Sequence, residues 1–208
     1  MDKQEIVHTV LKEKLVIIIR SEKENDIPVI INAAVKGGVK VLEITSNSIN
    51  FEDNIRKARE QYPHILIGAG TIHTMELAQK AIAAGAQFLV TPNTIPPMAD
   101  YAHDNGIPVM MGAYTPSEVA AAINAGADIV KLFPAESMGI TYFKSIKGPF
   151  HDHKYFAVGG IRTNSIAKWL DAGIDGFGMG GSLVKLEEGK YSAENITLEM
   201  RKIIKLLQ

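Results

Sequence analysis

The sequence predicts an α/β protein with the (β/α)8 architecture, a compact TIM barrel that occupies residues 1–208 as a single domain. Short apolar runs rich in Val and Ile alternate with Ala-rich stretches of helical period, which is typical of a parallel sheet covered by helices. There are eight such runs, the number that closes a barrel. The first run ends in Ile19-Arg20-Ser21-Glu22 and lacks the G-x-G-x-x-G turn of the open, doubly wound sheet.

The predicted strands recur at intervals of about 20 to 26 residues, which fits one strand, one helix and two short loops. Glycine marks several of the expected helix ends, as in Gly37-Gly38 and Ala125-Gly126-Ala127, because Gly just past a helix is a C-cap signal. In chain order the predicted strands are Val16–Arg20, Val39–Thr45, Ile65–Thr71, Phe88–Pro92, Pro108–Tyr114, Ile129–Pro134, Tyr155–Gly160 and Gly176–Ser182.

Helices are predicted between the strands and at both ends of the chain. An extra helix over about Asp2–Glu13 precedes the first strand, and we expect it to cover the bottom of the barrel. The segment Thr115-Pro116-Ser117-Glu118 has the features of a helix start: an N-cap residue, Pro at the first helical position and Glu three residues after the cap. The last helix is predicted from Ser192 to about Leu206 by apolar residues at helical spacing.

Composition excludes several classes of function. Hydrophobic residues make up 46% of the chain, so a well-buried core is feasible. The 22 Lys and Arg residues against 23 Asp and Glu argue against a nucleic-acid partner. With no cysteine, the chain cannot form disulfides, thiolate zinc sites or a Cys nucleophile, and its six histidines form no convincing metal set. The N-terminal segment lacks the apolar core of a signal peptide, and no run approaches the roughly 18 apolar residues of a membrane span. We therefore expect a cytoplasmic protein with no membrane partner and no metal.

Lys131 is the sharpest chemical feature, because it lies within the apolar run Ile129–Phe133 of a predicted strand. In a barrel of this class the functional site lies at the C-terminal ends of the strands. Either face of this strand buries the ammonium group at least partly, and burial lowers the pKa of a lysine. A neutral amine can attack a ketone and form a Schiff base. The alternative is a structural lysine that reaches the barrel rim or pairs with an acid.

Glu43 is the second anomaly, since it is a carboxylate within the apolar strand Val41–Thr45. Lys131 is its obvious partner in a closed barrel. Burial would raise the pKa of Glu43 toward neutrality, where a carboxyl group works as both acid and base. A structural ion pair, or a Glu that reaches solvent, is the alternative.

Two glycine turns follow the seventh and eighth strands, where many barrels bind phosphate through backbone N–H groups. They are Gly159-Gly160 and Gly180-Gly181-Ser182, in which the Ser182 hydroxyl adds a further donor. Glycine lets the backbone approach an anion closely, although tight turns alone can also require it.

Seven short motifs stand in order along nearly the whole chain. They are Gly38-Val39-Lys40-Val41-Leu42-Glu43-Ile44-Thr45, Gly68-Ala69-Gly70-Thr71, Ala84-Gly85-Ala86-Gln87-Phe88, Lys131-Leu132-Phe133-Pro134-Ala135-Glu136, Lys147-Gly148-Pro149-Phe150, Gly159-Gly160-Ile161 and Gly180-Gly181-Ser182. Together they resemble the 2-keto-3-deoxy-6-phosphogluconate (KDPG) and 4-hydroxy-2-oxoglutarate aldolases, a family of small class I (β/α)8 enzymes without metal.

The resemblance implies a role for each matching residue. Lys131 matches the Schiff-base lysine, Glu43 the carboxylate that moves protons, and Thr71 a threonine that helps to hold the pyruvate carboxylate. The glycine turns match the phosphate site. The other residues expected to line the substrate are Thr45, Asn47, Pro92 and Phe133.

The chain departs from the family pattern at three positions near the expected site. Asn47 stands where many members have an Arg that grips the substrate carboxylate, and Arg20 on the neighbouring strand can supply that charge instead. Val158 replaces a Thr of the family, and Met111 replaces a Pro. These changes leave the lysine chemistry intact but leave the natural substrate open.

The resemblance implies a class I aldolase that needs no cofactor, acts on a small-molecule substrate and assembles as a homotrimer. The expected reaction is the reversible cleavage of 2-dehydro-3-deoxy-6-phosphogluconate to pyruvate and glyceraldehyde 3-phosphate, with 4-hydroxy-2-oxoglutarate as a further substrate. Alternatives within the aldolases are the galactonate epimer or another 2-keto-3-deoxy acid. A phosphosugar isomerase or epimerase, or a non-catalytic phosphosugar-binding barrel, also stays open.

Overall fold

The computed structural model describes residues 1–181, 186–187 and 190–208, and it contains a closed barrel of eight parallel strands in sequential order. The first strand pairs with both the second and the eighth, which closes the sheet. The predicted (β/α)8 barrel is therefore confirmed. The barrel strands are β1 Leu15–Ile19, β2 Val41–Thr45, β3 Leu66–Gly70, β4 Leu89–Val90, β5 Val109–Ala113, β6 Ile129–Leu132, β7 Tyr155–Val158 and β8 Gly176–Met179.

Helices connect successive strands and cover the outside of the barrel. They are α1 Lys3–Glu13, α2 Asp26–Lys36, α3 Phe51–Gln61, α4 Met75–Ala83, α5 Pro97–Asp104, α6 Pro116–Asn124, α7 Ala135–Lys147, α8 Ile166–Asp171 and α9 Ala193–Leu207. A short 3-10 turn, Thr163–Ser165, precedes α8. After β8 the chain adds an antiparallel pair that the sequence did not predict, β9 Leu186–Glu187 and β10 Lys190–Tyr191. None of the described helices is long and apolar enough to cross a membrane.

The fourth strand is shorter than predicted. Five residues were expected, Phe88–Pro92, but regular pairing covers only Leu89–Val90. The hydroxyl of Thr91 donates a hydrogen bond of 2.7 Å to the carbonyl oxygen of Asn93, which turns the chain. Pro92 has no N–H to continue the ladder.

The extra helix α1 closes the bottom of the barrel, as predicted. Ile6 and Val10 are buried and pack against the inward-facing apolar side chains of the strands. Asp2 caps the helix, since its carboxylate accepts a hydrogen bond of 2.8 Å from the N–H of Glu5. Lys3 then fixes the helix to the barrel through an ion pair of 2.9 Å with Asp128, just before β6.

Helix α6 begins as the sequence predicts. Thr115 is its N-cap, and Glu118 completes a capping box with it. Hydrogen bonds from Thr115 and from the N–H of Tyr114 lower the pKa of Glu118. This capping fixes the direction in which the chain leaves β5.

Candidate active site

A cavity of about 690 Å³ opens at the C-terminal ends of the barrel strands. Of the predicted site residues that the structure describes, all except Thr45 line it. Ser182, which was also predicted, lies outside the described residues. The predicted residues in the wall are Arg20, Glu43, Asn47, Thr71, Pro92, Lys131, Phe133, Gly159, Gly160, Gly180 and Gly181. Residues from distant parts of the chain therefore meet where this architecture places its chemistry.

Lys131 points into the barrel, which decides between the two faces that the sequence left open. Ile129, two residues earlier, packs in the barrel interior, whereas Val130 and Leu132 pack outward against the helices. Lys131 is only 5% exposed. Burial lowers its pKa and the positive charge of Arg20 lowers it further, although attraction to Glu43 opposes both. The amine is thus biased toward its neutral, nucleophilic form.

The Nζ atom of Lys131 lies at the cavity, and no carboxylate of the described residues forms an ion pair with it. It lies 5.0 Å from the centroid of the Phe133 ring, a cation–π contact. Within the residues that the structure describes, the ammonium group makes no ion pair and no hydrogen bond. A structural ion pair therefore does not explain why this lysine is buried.

Glu43 also points into the barrel and is 3% exposed. Burial raises its pKa, and the positive charges of Lys131 and Arg20 oppose that shift. The carboxylate lies over Gly70 of β3, where a Cβ atom would overlap it. Among the described residues no ion pair joins Glu43 and Lys131, and the charge of each shifts the pKa of the other.

Arg20 and Thr71 lie together at one side of the cavity. The Nη2 atom of Arg20 donates a hydrogen bond of 3.3 Å to the hydroxyl of Thr71. Thr71 has a left-handed backbone, with φ of 58°. Its N–H donates no hydrogen bond in the described part of the chain. A guanidinium, a hydroxyl and a free N–H can together hold a carboxylate.

The expectation that Thr45 lines the substrate is wrong. Thr45 is fully buried, and its hydroxyl contacts the carbonyl oxygen of Ile19 at 3.3 Å and the hydroxyl of Ser48 at 3.0 Å. The N–H of Ser21 in turn donates to the Ser48 hydroxyl at 3.3 Å. This hydroxyl network joins the ends of β1 and β2, and so it supports the backbone on both sides of Arg20.

The two glycine turns line the cavity at the ends of β7 and β8, and β8 pairs with β1, the strand that precedes Arg20. Gly159 and Gly160 have φ of 93° and 82°, a conformation that L-residues rarely adopt. In the described part of the chain, the N–H groups of these two residues, and of Gly180 and Gly181, donate no hydrogen bond. Four N–H donors at one edge of a cavity can bind an anion.

Two of the three departures from the family pattern lie in the cavity wall, and the third does not. Val158 and Asn47 both line the cavity, where they can contact substrate. Met111 is fully buried in the layer between the strands and the helices, so this departure does not touch the site.

Sequence reasoning missed the apolar part of the wall. Ile18, Ile30, Ile161 and Met179 also line the cavity. Alternation along β1 places Ile18 inward with Val16, but nothing in the apolar run distinguishes a wall residue from a core residue. Among the described residues, no three His, Asp or Glu side chains come close enough to hold a metal ion.

Comparisons with known proteins agree with this geometry. The family model described as "KDPG and KHG aldolase" matches residues 6–197. A 2-dehydro-3-deoxy-phosphogluconate aldolase of Pseudomonas aeruginosa is 34% identical over 166 residues, which cover 79% of this chain and 76% of that protein. A 2-dehydro-3-deoxy-6-phosphogalactonate aldolase of Escherichia coli is 33% identical over 176 residues, which cover 84% and 86% of the two chains.

Solved structures are similar over almost the whole chain. A KDPG aldolase of Legionella pneumophila, with pyruvate captured at low pH as a covalent carbinolamine intermediate, superposes with a TM-score of 0.87 at 26% identity. The match covers 95% of this chain and 97% of that one. The barrel, the inward-facing lysine and the family match lead to one conclusion: the chain belongs to the KDPG and KHG aldolase family.

Proposed function

We propose that this protein is a class I aldolase that reversibly cleaves 2-dehydro-3-deoxy-6-phosphogluconate to pyruvate and glyceraldehyde 3-phosphate. The observation that carries the proposal is Lys131, a buried lysine that faces the cavity without a protein anion beside it. Burial lowers its pKa, so the amine can act as a nucleophile. The relative from Legionella pneumophila that holds pyruvate as a carbinolamine supports the same chemistry.

The proposed reaction begins at the C2 ketone of the substrate. The neutral amine of Lys131 adds to C2, and loss of water from the carbinolamine leaves a protonated imine. Glu43 then accepts the proton of the C4 hydroxyl, the C3–C4 bond breaks, and its electron pair moves into the imine to form an enamine. The aldehyde leaves. Glu43 returns a proton to C3, and water hydrolyses the imine to release pyruvate and free Lys131.

The two ends of the substrate have separate binding groups in this proposal. Arg20 and Thr71 hold the carboxylate next to C2. The backbone N–H groups of the two glycine turns hold the distal phosphate. A carboxylate near Arg20 and a phosphate near Gly160 would place the reacting carbons between them, beside Lys131 and Glu43.

A second candidate substrate is the galactonate epimer, 2-dehydro-3-deoxy-6-phosphogalactonate. Two observations favour it: one relative from Escherichia coli carries that name, and Val158 in the cavity wall stands where many family members have Thr. Loss of a hydroxyl beside the substrate changes which C4 configuration can be hydrogen-bonded. Rates of pyruvate release from the two epimers and from 4-hydroxy-2-oxoglutarate, measured side by side, decide between them.

The proposal is tested by reducing the protein with borohydride in the presence of pyruvate. A class I aldolase gains mass on the peptide that contains Lys131. An isomerase, an epimerase or a binding barrel gains none. Activity is expected to persist in EDTA, because the proposed steps use only side chains and backbone groups of the protein.

The assembly proposed for this protein is a homotrimer in the cytoplasm. One similar structure, at 31% identity and a TM-score of 0.85, is a cage designed by fusing symmetric oligomeric domains. Light scattering coupled to size-exclusion chromatography is expected to give three times the mass of the chain. A monomer mass would contradict the trimer. Cell fractionation tests the compartment.

A further inference from the structure

Thr71 has a backbone conformation that threonine rarely adopts. Its φ of 58° lies in the left-handed region, which is an outlier for a β-branched residue. The other non-glycine residues with positive φ in the described part of the chain are Lys14 and Asn50, which flank helix ends. A left-handed residue is common at a helix C-cap, and Asn tolerates this conformation. Thr71 instead follows a strand, so its neighbours must hold it.

Ser46, in the turn after β2, makes two of the contacts that hold this segment. Its hydroxyl donates a hydrogen bond of 2.8 Å to the carbonyl oxygen of Thr71. Its N–H donates one of 2.8 Å to the carbonyl oxygen of Gly70. On the other side, the N–H of Ile72 donates to the carbonyl oxygen of Val90 at 3.1 Å. Residues 70–72 are thus tied to β2 and to β4.

The left-handed conformation has a consequence for the cavity. The N–H of Thr71 donates no hydrogen bond in the described part of the chain, and its hydroxyl accepts one from Arg20. Both residues line the cavity, whereas Ser46 does not. The Ser46 hydroxyl therefore acts on the cavity only through Thr71.

We propose that Ser46 is a positioning residue, whose hydroxyl keeps Thr71 left-handed so that Thr71 and Arg20 together receive the carboxylate of a 2-keto acid. The inference rests on the proposed aldolase function, because it takes the ligand of Thr71 to be that carboxylate. His73 approaches the same carbonyl oxygen, with Nδ1 at 3.0 Å, but its ring is exposed. The half-buried Ser46 is thus the contact that solvent can replace less easily.

The variant Ser46→Ala tests the proposal in the borohydride assay, with pyruvate as the probe. We expect the pyruvate concentration that gives half the maximal trapping rate to rise about fivefold to tenfold, as for the loss of one binding contact. The maximal rate is expected to stay within about twofold, because Lys131 and Glu43 are untouched. Ser46→Thr keeps the hydroxyl and restores the wild-type concentration.

The matched control is Ser145→Ala on α7. Its hydroxyl also donates to a backbone carbonyl, that of Thr141 at 3.1 Å, but neither residue lines the cavity. We expect no change in half-saturation for this variant. A half-saturating concentration in Ser46→Ala equal to that of the wild type overturns the proposal, even if its melting temperature falls.

A second pair of variants covers the case in which Ser46→Ala does not fold. Glycine adopts a left-handed backbone without help, so in a Thr71→Gly background the change Ser46→Ala is expected to leave half-saturation unchanged. A large effect in that background contradicts the proposal.

If pyruvate traps no wild-type protein at any concentration, the aldolase function itself has failed. If it traps the wild type and Ser46→Ala equally, only the role of Ser46 has failed.

Discussion

At the scale of single residues, the site depends on two ionisable groups buried inside an apolar barrel. Burial moves their pKa values toward each other, since it lowers that of Lys131 and raises that of Glu43. Neither group has a protein partner that would fix its proton, within the residues described. The result is an amine biased toward its neutral form and a carboxyl group biased toward its protonated form, which favours imine chemistry.

The charges around Lys131 predict opposite pH shifts in two variants. Imine formation needs the neutral amine, so the pH midpoint of the maximal trapping rate follows the pKa of Lys131. Glu43 raises that pKa, and Glu43→Gln should move the midpoint to lower pH while it slows turnover by about 10²- to 10⁴-fold. Arg20 lowers it, so Arg20→Gln should move the midpoint to higher pH. Arg20→Lys keeps the charge and is the control. Shifts in the same direction would contradict this electrostatic account.

At the scale of elements, strand alternation decides what each residue can do. The sequence showed that Lys131 and Glu43 lie in strands, but an apolar run on both sides of a residue does not reveal which face points inward. Barrel closure settles this, because it sets the register of β5, β6 and β7 around Lys131. Alternation does not explain Thr45, which shares the parity of the inward-facing Glu43. Its hydroxyl instead contacts the carbonyl oxygen of Ile19 and the hydroxyl of Ser48, away from the cavity.

Other elements could be predicted because their signals are local. The cap of α6 and the apolar face of α9 each depend on residues a few positions apart. The length of β4 and the left-handed Thr71 depend on contacts between distant segments, which the sequence does not show. Position after a strand was enough to place the glycine turns in the cavity wall.

The position of Gly70 on β3, beneath the Glu43 carboxylate, leads to a further prediction. A Cβ atom at Gly70 would overlap the Glu43 carboxylate, so Gly70→Ala should push that side chain away from its position. We expect turnover to fall by about 10²-fold or more, as for loss of an acid–base group, with a native circular dichroism spectrum. Gly148→Ala is the control, because a Cβ atom there meets only ordinary contacts of 3.5 Å or more. Equal activity of the two variants would mean that Glu43 does not need its observed position.

At the scale of the whole molecule, the buried lysine of the site lowers the free energy of unfolding. Native Lys131 has a lowered pKa and binds fewer protons than the unfolded chain, so it destabilises the protein below the ordinary pKa of lysine. We therefore expect Lys131→Met to be inactive but to melt a few degrees higher, at about 2–4 °C per kcal/mol gained for a chain of this size. The gain should be present at neutral pH and shrink as the pH approaches about 10.4.

The control for this prediction is Lys144→Met, which changes an exposed lysine of α7. Its melting temperature should differ little from that of the wild type at any pH. Calorimetry at several pH values checks both variants. A lower melting temperature for Lys131→Met at neutral pH would show that this lysine stabilises the fold, and would favour a structural role.

The near-zero net charge of the molecule does not prevent it from binding anions locally. A formal net charge of −1 argued against a polyanionic partner, yet the cavity carries local groups for two anions. Arg20 and Thr71 follow β1 and β3, and the backbone N–H groups of the glycine turns follow β7 and β8. Local donors in a cavity of about 690 Å³ suit a small, doubly anionic substrate.

The central claim is that Lys131 forms an imine with the 2-keto group of the substrate. Borohydride reduction with pyruvate, followed by mass spectrometry of the peptides, measures this directly. We predict that the wild-type protein gains one reduced pyruvate adduct on the peptide containing Lys131, and that Lys131→Met gains none. An unmodified wild-type protein, or an adduct that persists in Lys131→Met, would contradict the account.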